Sequence, residues 1–354
     1  MSATAPSAAP PRDDAVLSIR GLRTNFYGHE GVINAVRNVS FDVGRGEKLA
    51  IVGESGCGKS ALALSVLGLI EPPGRVVEGE VWLNGRRVSE LGDRGMGRIR
   101  GKEISLVFQD PMTALDPVKR IGDQITETIV RHQPDLGKKG ARRRAVQLLQ
   151  EVEVPNAERR LDDYPHQYSG GMRQRVVIAI ALANDPDVVI ADEPTTALDV
   201  TTQAQVLDLL DRLVTQHGAA VILITHNLGI VAEFCEFVQV MYAGRIVERA
   251  TTADIFARPT HPYTEALLRS VPRPDRLERG PLASIPGLPP NLANLPAGCS
   301  FEPRCPLGNG KEICRTEPPL PLDLGTPERP IVSECHFARE RLERASAAQE
   351  ATRA

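Results

Sequence analysis

The chain has 354 residues, enough for two domains, and its 42% hydrophobic and 25% charged residues match an ordinary soluble globular protein. A formal net charge of −3 removes the electrostatic case for nucleic acid, which calls for a basic face. No apolar run approaches the roughly 20 residues that cross a bilayer; the longest, "ALALSVLGLI" (61–70) and "VVIAIALA" (176–183), read as buried core helices.

In chain order, residues 1–15 are small, Pro/Ala-rich and polar, without the apolar stretch of a secretory signal, and are expected to be a disordered tail. The chain is accordingly placed in the cytoplasm, where thiols stay reduced. From 16 to 255, apolar runs alternate with helical patterns: "LAIVGES", "ISLVFQ", "VVIADE" and "AVILITH". Runs so apolar suit strands buried on both faces, hence an α/β fold with a parallel sheet between helices. Between 111 and 176 the strand pattern stops. There "VKRIGDQITETIVRHQ" and "KKGARRRAVQLLQEVEV" carry helical spacing, so a helical subdomain is expected inside the core.

The segment "GESGCGKS" (53–60) follows the strand "KLAIV" and opens a helix, the setting that a phosphate-binding P-loop requires. Gly53, Ser55, Gly56 and Gly58 shape a loop whose backbone N–H groups turn inward. Lys59 is positioned to neutralise β- and γ-phosphate charge, Ser60 to ligate Mg²⁺, and the helix N-terminus adds a positive field. The strand "VVIADEP" (188–194) ends in two carboxylates. Asp192 suits a Mg²⁺ partner and Glu193 a general base acting on water, which together point to nucleotide hydrolysis. His226, ending "ILITH", is a candidate γ-phosphate sensor.

A second phosphate grip appears at "YSGGMRQR" (168–175), where Ser169 is a helix N-cap followed by Gly170 and Gly171. It opens in the helical insertion rather than beside Lys59. A grip held away from its own chain's loop suits a second copy or a homologue.

After about 270 the composition shifts: residues 272–335 hold half of the 28 prolines and four of the six cysteines. That density excludes long helices and central strands and predicts a small, loop-built appended domain. The sequence closes on a charged, Ala-rich tail.

The set "GESGCGKS", Gln109 after "ISLVF", "YSGGMRQR", "VVIADEPTTALD" and "THNLG" resembles the nucleotide-binding subunits of ATP-binding cassette (ABC) transporters. The segments "HPYTEALL" and "IPGLPPNLANLPAGCSFEPRCP" resemble the C-terminal extension of oligopeptide and dipeptide importer ATPases. The resemblance implies a P-loop ABC ATPase domain over 16–255, with its helical subdomain at 111–176. A C-terminal importer domain at 256–340 and a charged tail at 341–354 follow. It implies ATP and Mg²⁺ as ligands, and head-to-tail pairing with a second, homologous ATPase. In that pairing Ser169, Gly170 and Gly171 grip the partner's ATP and Asp199 couples the two sites. Gln109 reaches Mg²⁺ and the attacking water, and Phe26, beside Tyr27, matches the adenine-stacking aromatic. Tyr168 and Met172 depart from the commonest family pattern, which has Leu and Gln there.

Two membrane permease subunits and an extracytoplasmic substrate-binding protein are implied as further partners, on the cytoplasmic side of the inner membrane, with import of di- and oligopeptides as the function. The same role for nickel, glutathione or another small solute is the alternative. A non-transport ABC ATPase acting on ribosomes or DNA fits less well, since those carry two cassettes or a long coiled coil.

Cys299, Cys305, Cys314 and Cys335 are spaced C-x5-C-x8-C-x20-C. Unrelated buried thiols, a zinc site and an iron–sulfur cluster are all open. Zinc sites commonly show short C-x2–4-C pairs, absent here, whereas clusters accept looser spacing. Related importers include members with a [4Fe–4S] cluster in this region, which favours that cofactor, with zinc as the alternative.

Overall fold

The computed structural model describes residues 12, 14–29, 31–196, 198–270, 285–326 and 329–353. Two long strands, β1 (Ala15–Gly28) and β2 (Gly31–Gly44), form a hairpin closed at Gly28 and Gly31. With β4 (Gly74–Leu83) and β5 (Arg86–Arg87) they make a four-stranded antiparallel sheet in the order β2-β1-β4-β5. The main sheet contains β3 (Lys48–Val52), β6 (Ile104–Val107), β7 (Val188–Asp192), β8 (Ala220–Thr225) and β9 (Phe237–Tyr242). It continues through β10 (Arg245–Thr251), β11 (Leu322–Asp323) and β12 (Ile331–Ser333), in the order β11-β12-β10-β9-β3-β8-β7-β6. The stretch from β9 to β6 is parallel, while β10, β12 and β11 add antiparallel.

The four apolar runs predicted as strands are β3, β6, β7 and β8, and their side chains divide by the two-residue period of a strand. Leu49 and Ile51 of β3, Val188 and Ile190 of β7, and Ile222 and Ile224 of β8 face one core. That core is completed by the antiparallel sheet, through Leu17, Ile19, Val36 and Phe41, and by Leu62, Ala63 and Val66 of the helix Lys59–Val66. Ala50, Val52, Val189, Ala191, Val221 and Leu223 face the other core, under the remaining helices. Burial on both faces explains the unbroken hydrophobicity of these runs.

The insertion is helical, as its spacing predicts. Ile121, Ile125 and Ile129 of the helix Ile121–His132 are fully buried at intervals of four, with Ala141, Ala145, Leu148 and Leu149 of the helix Gly137–Glu151 in the same core. The helix opened by Ser169 runs Gly170–Leu182 and leads into β7.

The Pro- and Cys-rich segment is loop-built apart from short elements, but it does not stand alone. Its strand β12 pairs with β10, and Arg245 holds Glu334 through two hydrogen bonds of 2.7 and 2.9 Å. The terminal stretch is helical over Ala338–Arg353, with Ala338 buried and Arg341 bonded to Glu265. Most of the tail expected at 1–15 lies outside the described residues, and Ala15 opens β1. Among the described residues no helix is long and apolar enough to cross a membrane.

Candidate active site

The loop 53–60 joins β3 to the helix Lys59–Val66 and passes beneath β2. Gly58, at φ 110°, tolerates no side chain: a Cβ there lies 2.1 Å from the Ala35 carbonyl oxygen. Lys59 is buried, and its Nζ donates to the carbonyl oxygens of Gly53 (2.8 Å) and Glu54 (3.0 Å). The ammonium is thereby folded into the curl of its own loop, among backbone groups suited to phosphate.

Two carboxylates meet this loop from the end of β7. Burial pushes the Asp192 carboxyl up, a shift that the Ser60 hydroxyl bonded to it only partly offsets. Its Oδ1 is buried without a hydrogen-bond partner. An orphaned carboxylate oxygen beside a serine hydroxyl is a hard-oxygen pair that fits Mg²⁺. Glu193 follows with φ 45° and donates its N–H to Ile224 at 2.8 Å, which turns its side chain out of the strand line.

Three side chains then hold the Glu193 carboxylate. Gln109 Nε2, just beyond β6, donates at 3.0 Å and Thr196 Oγ1 at 2.9 Å, both to Oε2. His226 Nδ1, just beyond β8, is 3.1 Å from Oε1. Burial pushes Glu193 up, but the hydrogen bonds from His226 and Thr196 outweigh it and keep the carboxyl below its ordinary range. A base ionised at neutral pH, held in one orientation by neighbours on three segments, is equipped to take a proton from water. Thr196 is the member that sequence reasoning missed. Its only signal is a hydroxyl three residues beyond a strand-end carboxylate.

The remaining candidates form a second group. Ser169 caps the helix Gly170–Leu182, accepting the Met172 N–H at 3.3 Å. Gly170 and Gly171 lie against the segment 198–202: a Cβ on Gly171 sits 2.6 Å from Thr202 Cγ2, and one on Gly170 3.7 Å from Leu198 Cδ2. Asp199 caps the helix Val200–His217, accepting from the Thr202 N–H (3.0 Å) and hydroxyl (2.7 Å), and these bonds hold its carboxyl below the usual range. Among the described residues no hydrogen bond joins Ser169, Gly170 or Gly171 to the loop 53–60. Tyr168 is buried, its hydroxyl donating to the Arg160 carbonyl at 2.8 Å, so that departure from the family pattern packs into the core.

The two neighbouring aromatics differ in setting. Half-buried Phe26 pairs with Gly74, whose added Cβ would lie 2.5 Å from its ring, while exposed Tyr27 has the Arg75 guanidinium 4.5 Å from its ring centre.

The four C-terminal cysteines line one cavity of about 10 Å³, together with His336. Burial pushes Cys299 up to about 11 and Cys335 up to about 12, so these thiols are neutral as they stand. The donor type suits a cluster, but the space holds no more than about one water. Among the described residues no group of three or more His, Cys, Asp or Glu is placed to hold a metal ion. The expected [4Fe–4S] cluster, and zinc in its place, therefore find no support in this arrangement.

Comparison with known proteins agrees with the geometry. Residues 36–196 match the family model for ABC transporters, and 247–314 match that for the oligopeptide/dipeptide transporter C-terminal region. The chain is 50% identical over 302 residues to the dipeptide transport ATP-binding protein DppD of Bacillus subtilis, covering 85% of this chain and 89% of that one. It is 52% identical over 314 residues (89% of this chain) to the oligopeptide transport ATP-binding protein OppD of Mycobacterium tuberculosis, of whose length it spans about half, 51%. A dimeric structure of a post-hydrolysis state of the ATP-binding cassette MJ0796, bound to ADP and Pi, superposes with a TM-score of 0.60 at 29% identity. That match covers 67% of this chain and 98% of the other. The chain belongs to the ABC transporter ATP-binding family, in the branch that carries the oligopeptide/dipeptide transporter C-terminal region.

Proposed function

We propose that this chain is the ATP-hydrolysing subunit that drives import of di- and oligopeptides, working as a peripheral protein on the cytoplasmic face of the membrane. The observation that carries the reading is the Glu193 carboxylate, held by Gln109, Thr196 and His226 beside the Asp192–Ser60 pair and Lys59. In this reading Lys59 leaves the Gly53 and Glu54 carbonyls for the β- and γ-phosphates. The backbone of Ser55, Gly56 and Gly58 cradles them, and Phe26 stacks on the base. Glu193 takes the proton of the attacking water, and His226 keeps it aimed. Ser60, Asp192 and Gln109 would hold Mg²⁺, which when bound would supply neutralisation of phosphate charge.

A relative solved as a nucleotide-bound dimer supports pairing with a second ATPase. Ser169, Gly170 and Gly171 would then meet the partner's nucleotide, with Asp199 and Thr202 bracing them from behind. Permease contact is proposed at a groove of about 420 Å³ beside the insertion, lined by Phe108, Ala114, Lys119 and Arg131 among others. Phe108, in the groove lining, is an exposed apolar side chain suited to receiving a short helix, and Met112 and Val118 are exposed in the segment that follows it. We divide the chain into an ATPase domain over 16–255, with its helical part at 111–176, and an importer domain over 256–340. The four cysteines share one cavity too small for a cluster and are read as packing residues: metal-free protein after anaerobic purification supports that, and four irons per chain would overturn it.

Uptake of labelled di- and oligopeptides in cells carrying the parent chain or Glu193→Gln tests the function. Selective loss of peptide uptake is expected. Normal peptide uptake, in cells without another peptide system, would transfer the cargo to a solute such as nickel or glutathione.

A further inference from the structure

Glu54, the second residue of the phosphate loop, brings a negative charge to a site built for polyphosphate. All three of its polar groups are engaged. The Glu54 carbonyl accepts from Lys59 Nζ at 3.0 Å, and its N–H donates to the Tyr263 hydroxyl at 2.8 Å. Its carboxylate takes a two-pronged ion pair from Arg304, 250 residues further on, at 2.8 and 3.0 Å. Arg304 is buried and fixed on its other edge by the Pro286 carbonyl at 2.8 Å, and its guanidinium lies 5.9 Å from the Tyr242 ring centre. Phe301 meets the rings of Tyr242 and Tyr263 edge to face at 5.2 and 5.4 Å, and those two rings tilt against each other at 4.5 Å. Burial pushes the Cys57 thiol up, with the Lys59 charge opposing that shift and the Glu54 charge adding to it.

We propose that Arg304 is a positioning residue for ATP: it neutralises Glu54 at the rim of the loop 53–60, and with Tyr263 it holds the loop in its phosphate-accepting shape. The C-terminal segment thereby becomes part of the nucleotide site. Without the guanidinium, a fixed carboxylate a few ångströms from the entering phosphates raises the energy of every ATP-bound state. The paired fork also fixes direction, which a single surface charge cannot do. The inference rests on the reading that this loop holds the phosphates.

The test measures ATP hydrolysis and fluorescent-nucleotide binding by the purified full-length chain with Arg304→Gln, Arg304→Lys, Glu54→Gln and the double substitution Glu54→Gln/Arg304→Gln. Arg304→Gln is expected to raise KM for ATP roughly tenfold, with kcat changed less than about twofold. Removing the stranded carboxylate in the double substitution returns KM to within about threefold of the parent, and Arg304→Lys is intermediate. A merely structural role for Arg304 gives no such rescue. An unchanged KM in folded Arg304→Gln, or a loss that Glu54→Gln leaves in place, overturns the proposal. Should Arg304→Gln fail to fold, Glu54→Gln decides alone: a KM at or below the parent value supports the proposal, and a raised KM overturns it. Lys59→Ala separates the underlying reading: normal ATP binding there shows that the loop does not hold phosphate, whatever Arg304 does.

Discussion

His226 Nδ1 lies 3.1 Å from Glu193 Oε1, so the carboxylate at the end of β7 is aimed from the end of the neighbouring parallel strand β8. Glu193→Gln is expected to lower ATP hydrolysis by about 10²–10⁴-fold while ATP binding stays within about twofold, measured by phosphate release and nucleotide titration. His226→Ala removes the largest interaction that lowers the Glu193 pKa. The base is active when ionised, so its pKa rises in the variant and the acidic limb of the pH–rate profile moves to higher pH. An unshifted limb would show that His226 does not tune this carboxylate.

Gly58→Ala should abolish nucleotide binding and lower stability. The added methyl meets the Ala35 carbonyl at 2.1 Å and the residue must also hold φ 110°. Strained backbone of this kind costs about 1–3 kcal/mol before the clash is counted. Thermal unfolding of parent and variant reads the loss, and Tm values within a degree of one another would contradict it.

Gly171→Ala places a methyl 2.6 Å from Thr202 Cγ2. Hydrolysis by the assembled transporter is expected to fall at least about tenfold. Adding Thr202→Ser deletes the offending Cγ2 and keeps the hydroxyl that bonds Asp199 at 2.7 Å. Activity should then recover by at least half of the logarithmic loss. Lack of recovery would place the effect in the glycine's own contact with nucleotide.

His261 offers a pH-dependent test of the C-terminal packing. Burial, and then the Arg341 charge, push its imidazole down to about 3. Its Nδ1 accepts the Tyr263 N–H at 3.1 Å, and the His261 backbone N–H donates to the Glu248 carboxylate at 3.0 Å. Above pH 6.5 neither the folded nor the unfolded chain protonates this ring. Below 6.5 the unfolded chain binds a proton that the folded chain refuses, so this contribution to stability falls as the pH drops toward 3. Buried Glu248, pushed up, acts in the opposite sense and is common to parent and variant. His261→Asn keeps a cap acceptor without the titration. Relative to the parent it should gain about 2 kcal/mol between pH 7 and pH 5, read by denaturant unfolding. An equal stability difference at the two pH values would show that His261 titrates normally.

Much of the proposed nucleotide site is legible in sequence because each part is local. A strand, a Gly-rich turn and a lysine at the start of a helix must be consecutive to work, so "GESGCGKS" displays its purpose, and "VVIADE" shows its two carboxylates at a strand end. The four parallel strands are legible for a related reason, since burial on both faces leaves an unbroken apolar run. The antiparallel sheet was not foreseen. Strand β1 mixes buried Leu17, Ile19 and Leu22 with polar Arg20 and Thr24 and carries register shifts, so its alternation is broken where the sheet bends. The loop-built character of 285–326 followed from its prolines, but its union with the main sheet through β12 did not.

By itself, then, the sequence determined the short-range machinery: which loop can hold phosphate, which carboxylates end a strand, which helices carry an apolar stripe. Tertiary structure alone decided what meets what. It gathered Gln109, Thr196 and His226 around Glu193, set Gly171 against Thr202, and brought Arg304 across 250 residues to Glu54. The physical reason is that local patterns are set by the repeat of the backbone, one residue after the next. Long-range pairs are set by how sheets and helices share buried surface, and no residue's neighbours in sequence record that.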